Sequence, residues 1–384
     1  MSSNKAAQNE RLAALRLYRT ERVGPVTYRQ LLKQYNSATA ALEAIPELAR
    51  KGGARALPKI PSASSIAQEL ERLEKLGGRL LLEKEADFPD HLRRAENCPP
   101  LLLCLGDTAL LSRPTIALVG ARNASPNGAR LAMKMASELG AADFVVVSGL
   151  ARGIDGAAHQ GALRTGTIAV LAGGVDQIYP PEHKQLYHEI SQVGLLVSDM
   201  PLGSEPSARL FPRRNRIIAA LSQAVVLIEA KLQSGTLITA QYALDYGRQI
   251  FAVPAAPYDP RAGGCNQWIR DGATLVRSAR DIIEDFENSS VAEIQPSLFR
   301  SPSEERDFMS SPDNASFDAQ SLDQARGQIH RMLSIEPIKI DELLMQCQLP
   351  AQLVLAVLME LELAGRLDRI IGGRVALVAE FDDL

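Results

Sequence analysis

The sequence predicts an α/β protein built on an extended Rossmann-like, doubly wound sheet, with a small helical domain before it and a compact helix-and-hairpin domain after it. Three observations predict this. Apolar runs at 115–119, 143–147, 167–171, 195–198, 224–228, 249–253 and 274–276 alternate with helical patterns, as buried parallel strands joined by crossover helices do. Residues 10–50 carry short amphipathic helical patterns instead. The last sixty residues or so carry helices again, ending in a Gly-Gly hairpin. At 384 residues the chain exceeds one ordinary domain, and composition divides it into 1–80, 81–287, 288–323 and 324–384.

In chain order, ERLAALRLYRT and VTYRQLLKQYN read as helices joined through Val23-Gly24-Pro25, with a third short helix from Ala38 to Ala44. That turn resembles those of sterile-alpha-motif-like or helix–hairpin–helix modules, which can present N–H groups to DNA phosphate. A plain helical packing domain is the alternative. A helix from Ser65 to Leu76 follows, then Pro99-Pro100 and the run Leu101 to Leu105, an expected edge strand.

The chain is organised around residues 115–163. The first strand ends in Gly120-Ala121-Arg122, and Ser125-Pro126 starts a helix, Ser as N-cap and Pro at the first helical position. The second strand runs into Ser148-Gly149-Leu150-Ala151-Arg152-Gly153. Each strand–glycine turn–helix unit can aim N–H groups and an arginine at an anion. Gly173-Gly174 and Ser234-Gly235-Thr236 also follow strands, so all four turns should gather at the carboxyl edge, where doubly wound sheets bind ligands. Neither GxGxxG nor GxxxxGK[ST] occurs in these turns, which excludes the ordinary dinucleotide and Walker sites.

Catalytic patterns are sparse. No HExxH or CxxC pattern is present among five histidines and four cysteines, so no metal or cofactor is expected. Asp155 and His159 share a helix face at i, i+4 and read either as an acid–base pair or as polar groups that hold the turn. Phe211-Pro212-Arg213-Arg214-Asn215-Arg216 opens another helix, where arginine forks suit phosphate. The net charge of −3 conceals an asymmetry: Asp281 to Ala325 holds eleven acidic residues and two arginines, or −9, and the remainder carries +6. Residues 288–323 read as a flexible acidic linker that leaves the last domain free to move. No apolar run approaches ~18 residues, and the N-terminus lacks a signal-peptide pattern, so a cytoplasmic protein with no membrane partner is expected.

The string VGARNAS…SGLARGIDGAAHQGAL…FPRRNRIIAALS…VVLIEA…SGTLITA…GRQIFAVP resembles the DprA/Smf family of DNA-processing proteins over residues 100–286. The resemblance implies an extended Rossmann fold that binds single-stranded DNA without recognised catalysis, dimerises through that fold, protects incoming DNA in natural transformation and loads the RecA recombinase. The turns, the arginine cluster and the resemblance together nominate for DNA phosphate Gly120, Ala121, Arg122, Ser148, Gly149, Arg152, Gly153, Gly173, Gly174, Lys184, Arg213, Arg214, Asn215, Arg216, Ser234, Gly235 and Thr236. Ala255 departs from the family's usual glycine after Val-Pro. With aromatic residues at 5% and Tyr179 and Phe211 the candidates near the turns, phosphate contacts should dominate over stacking. The C-terminal pattern, helices followed by a Gly-Gly wing, is that of a winged helix. The second helix of its helix–turn–helix, Pro350 to Ala364, has no cation before Arg366, so protein interaction or a weak DNA role fits it better than sequence-specific binding. The rival class is enzymatic: lysine-decarboxylase-like phosphoribohydrolases share the Rossmann variant, but carry PGGxGT where this chain has Gln233-Ser234-Gly235-Thr236.

Overall fold

The computed structural model describes residues 2–95, 97–294, 319–370 and 372–378. They form two compact units: Ala63–Ser290, and a second unit made from the two ends of the chain, Met1–Ser62 with Val291–Leu384. Much of the acidic segment 288–323 lies outside the described residues.

The first end of the chain supplies α1 (Ser2–Tyr18), α2 (Pro25–Tyr35) and α3 (Ala38–Lys51). Gly24 caps α2 with Pro25 at its first position, and the Ser37 hydroxyl accepts from the Ala40 amide to start α3. The third helix runs past Pro46, well beyond the Ala44 that the sequence predicts. Its apolar stripe, Ala41, Leu42, Ile45, Leu48 and Ala49, is buried, and that packing outweighs the one hydrogen bond proline removes.

The middle unit opens with α4 (Ala63–Lys75), β1 (Gly78–Leu82) and the short α5 (Asp90–Arg93), followed by β2 (Leu101–Gly106) and β3 (Thr115–Gly120). Strands and helices then alternate: α6 (Pro126–Ala141), β4 (Val145–Ser148), α7 (Ile154–Ala162), β5 (Thr167–Val170), α8 (Lys184–Val193), β6 (Leu195–Ser198), α9 (Leu210–Leu221), β7 (Ala224–Ile228), α10 (Gly235–Asp245), β8 (Gln249–Ala252), α11 (Gly263–Arg270), β9 (Thr274–Leu275) and α12 (Ala279–Ile294). The strand order is β1-β2-β6-β5-β4-β3-β7-β8-β9. Strands from β6 to β9 are parallel neighbours, while β1 and β2 are antiparallel additions. The predicted apolar runs coincide with β3 to β9. The expected edge strand does not lie at the edge: β2 is covered by β1, in register Gly78↔Leu105 to Leu82↔Leu101. The compact unit also begins at Ala63, so α4 and β1 fall with the sheet and not with the preceding helices.

From β3 the chain winds through β4, β5 and β6 on one side and resumes with β7, β8 and β9 on the other. The order therefore reverses between β3 and β7, paired from Ile116↔Ala224 to Gly120↔Ile228. Apolar clusters lie on each face, one around Val119, Val147, Val170 and Leu227, the other around Ile116, Leu118, Val146 and Phe251 with α6 and α7.

The second part of the end-to-end unit is α13 (Ala319–Met332), β10 (Ile338–Lys339), α14 (Ile340–Cys347), α15 (Ala351–Leu363), β11 (Leu367–Ile370) and β12 (Arg374–Leu377), with sheet order β10-β12-β11. This is the winged-helix arrangement. It shares a compact unit with α1 to α3, which differs from the free-standing module the linker composition predicts. No helix among the described residues is long and apolar enough to cross a membrane.

Close packing of α7 on α6 sets the position of both glycine turns. A Cβ at Gly161 would stand 2.1 Å from the Met133 carbonyl oxygen and 3.0 Å from the Ala136 Cβ. Gly161→Val should therefore lower unfolding stability by ~1–3 kcal/mol, read as a fall in the urea midpoint at unchanged slope.

Candidate nucleic-acid interface

The reversal of strand order opens a cavity of ≈ 340 Å³ at the carboxyl edge, walled by the turn after β3, the start of α9, and the loop from β7 into α10. Of the residues nominated from sequence, Gly120, Ala121, Arg122, Arg214, Asn215, Ser234, Gly235 and Thr236 line it. Gly120 is required there by contact: a Cβ would stand 1.9 Å from the Ile228 carbonyl oxygen.

Arg122 is exposed, with its guanidinium 4.5 Å from the centre of the Phe211 ring. Among the described residues no carboxylate lies within ion-pairing distance of it. Tyr179, 40% exposed, tilts against Phe211 at 5.7 Å between centroids. Arg122 and Phe211 line the cavity, and with Tyr179 packed on Phe211 they make a cation–aromatic array, with a charge for phosphate and ring faces for bases. Ser234 caps α10 by accepting from the Thr236 amide at 3.2 Å. The Thr236 hydroxyl donates to the Gly120 carbonyl at 3.0 Å, which ties α10 to the end of β3. Asn215 donates to the Gly235 carbonyl at 3.2 Å and accepts from Arg214 Nε at 3.1 Å.

The two strand–turn–helix units that the sequence offers to phosphate are closed from inside. At the start of α6 the amide of Ser125 donates to the Glu229 carboxylate at 2.7 Å, and the Ser125 hydroxyl both donates to that carboxylate and caps the Gly128 amide at 2.9 Å. Glu229 follows β7 with φ 53°, in the left-handed region. At the second turn the Gly149 amide donates to Asp155 at 3.1 Å, and the Ala151 amide donates to it as well. Burial raises the Asp155 pKa, opposed by the neighbouring Arg214 and these two amides.

Several nominated residues consequently play other parts. Arg214 is buried, and its Nη1 donates to the Gly149 and Val170 carbonyls. Burial pulls its pKa down to about 10, with Asp155 opposing and Arg122 assisting. Arg216, expected to reach the cleft from a neighbouring turn, is buried away from it. It pairs with Asp199 at 3.1 Å and donates to the Asn97 carbonyl. The helix opens at Leu210, two residues earlier than Pro212, and this carries both arginines into its buried turns. Ser148 is fully buried and donates to the Leu118 carbonyl at 2.6 Å. Gly149 makes room for the Arg214 guanidinium, whose nitrogen would stand 2.3 Å from a Cβ. Gly153, at φ 77°, lets α7 start against the Ala121 carbonyl, which accepts from the Ile154 amide at 3.2 Å. Gly173 and Gly174 seat the 201–206 loop, where a Cβ would meet the Ser204 and Pro201 carbonyls at 2.5 and 2.6 Å. Arg152 is exposed and 3.7 Å from Glu182, and Arg213 and Lys184 are exposed on helix starts; none of the three lines the cavity.

The cavity also includes Lys231, Gln233 and Asn123, which sequence reasoning missed. Lys231 could have been found from its place two residues after Glu229, in the loop leaving the strand beside the reversal point. His159 is fully buried. The Thr167 hydroxyl donates to the Val146 carbonyl at 2.9 Å, so His159 Nδ1 donates to Thr167 at 2.7 Å and its Nε2 accepts from the Leu150 amide at 3.2 Å. The imidazole is a neutral brace, which answers the alternative of an acid–base pair. Burial lowers its pKa from 6.5 to about 3, with His183 and Arg214 adding to the effect.

That shift predicts a pH dependence. The folded-state pKa is depressed, so the stabilisation is present above about pH 6.5, where the unfolded imidazole is also neutral, and is lost as pH falls toward about 3. The loss should approach ~1.4 kcal/mol per pH unit within the window. Urea denaturation of wild type and His159→Gln across it should show a shallower dependence in the variant.

Comparison with known proteins is consistent along the chain. The profile of the DNA recombination-mediator protein A family matches residues 79–287, that of the DprA-like N-terminal HHH domain residues 8–71, and that of the DprA winged helix domain residues 313–373. Protein Smf of Escherichia coli is 34% identical over 316 residues, which cover 82% of this chain and 81% of that protein. DNA processing protein DprA of Streptococcus pneumoniae is 42% identical over 202 residues, 52% of this chain and 71% of that protein. The match to Protein Smf of Synechocystis, 39% identical, spans just over half of each, 56% of this chain and 56% of the relative. Among solved structures, S. pneumoniae DprA superposes with a TM-score of 0.55 at 36% identity, covering 58% of this chain and 78% of that one. DNA processing protein A of Helicobacter pylori, whose structure addresses its single-stranded DNA binding mode, superposes with a TM-score of 0.51 at 30% identity, covering 55% of this chain and 96% of that one.

Proposed function

This chain belongs to the DNA recombination-mediator protein A family, and we propose on that footing that its middle unit binds single-stranded DNA across the switch-point cavity. The observation that carries the proposal is the Arg122–Phe211–Tyr179 array, whose Arg122 and Phe211 line a cavity where the α10 start is capped by a neutral serine. A single strand offers charged phosphates and unstacked bases together, and a guanidinium beside ring faces complements both. Lys231, in the loop from β7 into α10, adds a further cation to the lining.

In this proposal the protein acts without catalysis. It covers incoming DNA during natural transformation, delivers it to the RecA recombinase in the cytoplasm, and works as a dimer through the sheet-containing unit. The internal roles of Asp155 and His159 support the non-catalytic reading, because Asp155, the carboxylate in the cavity lining, is held by amides and the buried His159 by an amide and a hydroxyl. A phosphoribohydrolase of the same fold would need an acid free to act on a bound nucleotide. Turnover in a nucleobase-release assay with nucleoside monophosphates would overturn the reading.

Paired substitutions test the binding site. Arg122→Ala removes a charge-assisted contact of ~1.5–3 kcal/mol and should weaken binding of a single-stranded oligonucleotide by roughly ten- to a hundredfold at fixed salt. The melting temperature should barely change, because this arginine is exposed. Arg216→Ala should instead lower stability, by ~3–5 kcal/mol, because it breaks the buried ion pair with Asp199. Affinity unchanged in folded Arg122→Ala would sink the proposal.

A further inference from the structure

The second helix of the helix–turn–helix, α15, lacks the amphipathic pattern of a groove-reading helix. One face, Leu353, Val354, Val357, Leu358 and Leu361, belongs to the module's own apolar cluster. Met359, Leu363 and Ala364 lie outside that cluster, yet are 1%, 0% and 6% exposed. A helix apolar on all sides is covered on all sides, and here the second cover is α2 and α3. Among the residues of α15 itself, Ala351 and Gln352 alone are exposed.

The contact is built from fitted parts. A Cβ at Gly52, just past α3, would stand 2.1 Å from the Glu360 carbonyl oxygen and 2.9 Å from the Ala364 Cβ. The fully buried Thr27 hydroxyl, in the first turn of α2, donates to Glu362 Oε2 at 2.5 Å, and Arg369 holds the same oxygen at 2.9 Å. Arg22 Nη1 reaches the Leu363 and Ala56 carbonyls, both at 3.2 Å. Position Gly24, where the helix–hairpin–helix reading would present amides to DNA, faces Glu362: a Cβ there would stand 3.7 Å from Oε1. A carboxylate at the start of α2 is favoured by the same dipole that would attract phosphate.

We propose that α15 is an internal docking helix: it seats the winged module on α2 and α3, with Glu362 in the place of a phosphate at the Gly24 turn, so that the two ends of the chain form one body. The occupant of this surface is therefore the chain's own N-terminal helices and not a nucleic-acid groove. The inference is independent of DNA binding by the middle unit, and its test leaves that site untouched.

The test uses the full chain with a site-specific protease sequence introduced between residues 301 and 312. After cleavage, the C-terminal fragment of wild type should co-elute with the remainder on gel filtration at micromolar concentration, and in Gly52→Leu it should elute alone. If Gly52→Leu loses helical circular dichroism, the milder Thr27→Val/Arg22→Ala double variant decides, with at least tenfold weaker fragment retention expected. A wild-type fragment that elutes alone overturns the proposal. So does a folded double variant, or a folded Gly52→Leu, that retains its fragment as wild type does.

Discussion

The structure depends on where three carboxylates sit. A helix start leaves several amides without partners and attracts negative charge, and this chain supplies that charge itself at three of them: Glu229 at α6, Asp155 at α7 and Glu362 beside the start of α2. The first two lock the turns after β3 and β4 into fixed shapes. What remains in the cavity lining is the capped start of α10 together with Arg122. Internal satisfaction of two turns thus makes a rigid frame in which one arginine stays without a carboxylate partner among the described residues.

Arg214 is the counterpart of this arrangement. Burying a guanidinium is costly unless its donors are met, and its Nη1 bridges the carbonyls that end β4 and β5 while Asp155 lies close enough to oppose the loss of its charge. The bridge ties α9 to the sheet, and Phe211 is carried on the same helix, three residues before Arg214. Both arginines then meet the Phe211 ring, the exposed Arg122 at 4.5 Å from its centre and the buried Arg214 at 5.8 Å. Gly149 follows from the same demand, since a side chain there would occupy the space of the guanidinium.

Much of the sheet was legible because buried parallel strands leave unbroken apolar runs, and β3 to β9 all left them. β1 was hidden because GRLLL follows directly on the α4 pattern, and a strand recognised by antiparallel pairing has no crossover helix to announce it. In Phe211 to Arg216 the residue types were legible and their directions were not. The helical register could have separated them: Arg214 stands three and four residues before the buried Ile217 and Ile218, on the same face. Clustered arginines suggest a solvated surface only until the start of the helix is fixed. Nothing local in the sequence pointed to Glu229 as the anion of α6, because the two meet only through the crossing of β7 beside β3.

The C-terminal helix α15 shows the opposite case, where composition alone demands a second covered face. The absence of a cation from Pro350 to Ala364 argues against base reading, but says nothing about what replaces it. The decisive property is the excess of apolar residues: a helix of a three-helix module needs one apolar face, and α15 has enough for two. A second cover was required by that count alone. The residues able to provide it lie at the other end of the chain, where Gly52 gives the close approach and Thr27 meets the charge on Glu362. An interface of this kind is invisible to periodicity because each half is locally complete as a helix. It becomes visible only as surplus burial on one element matched by a steric demand for glycine on another.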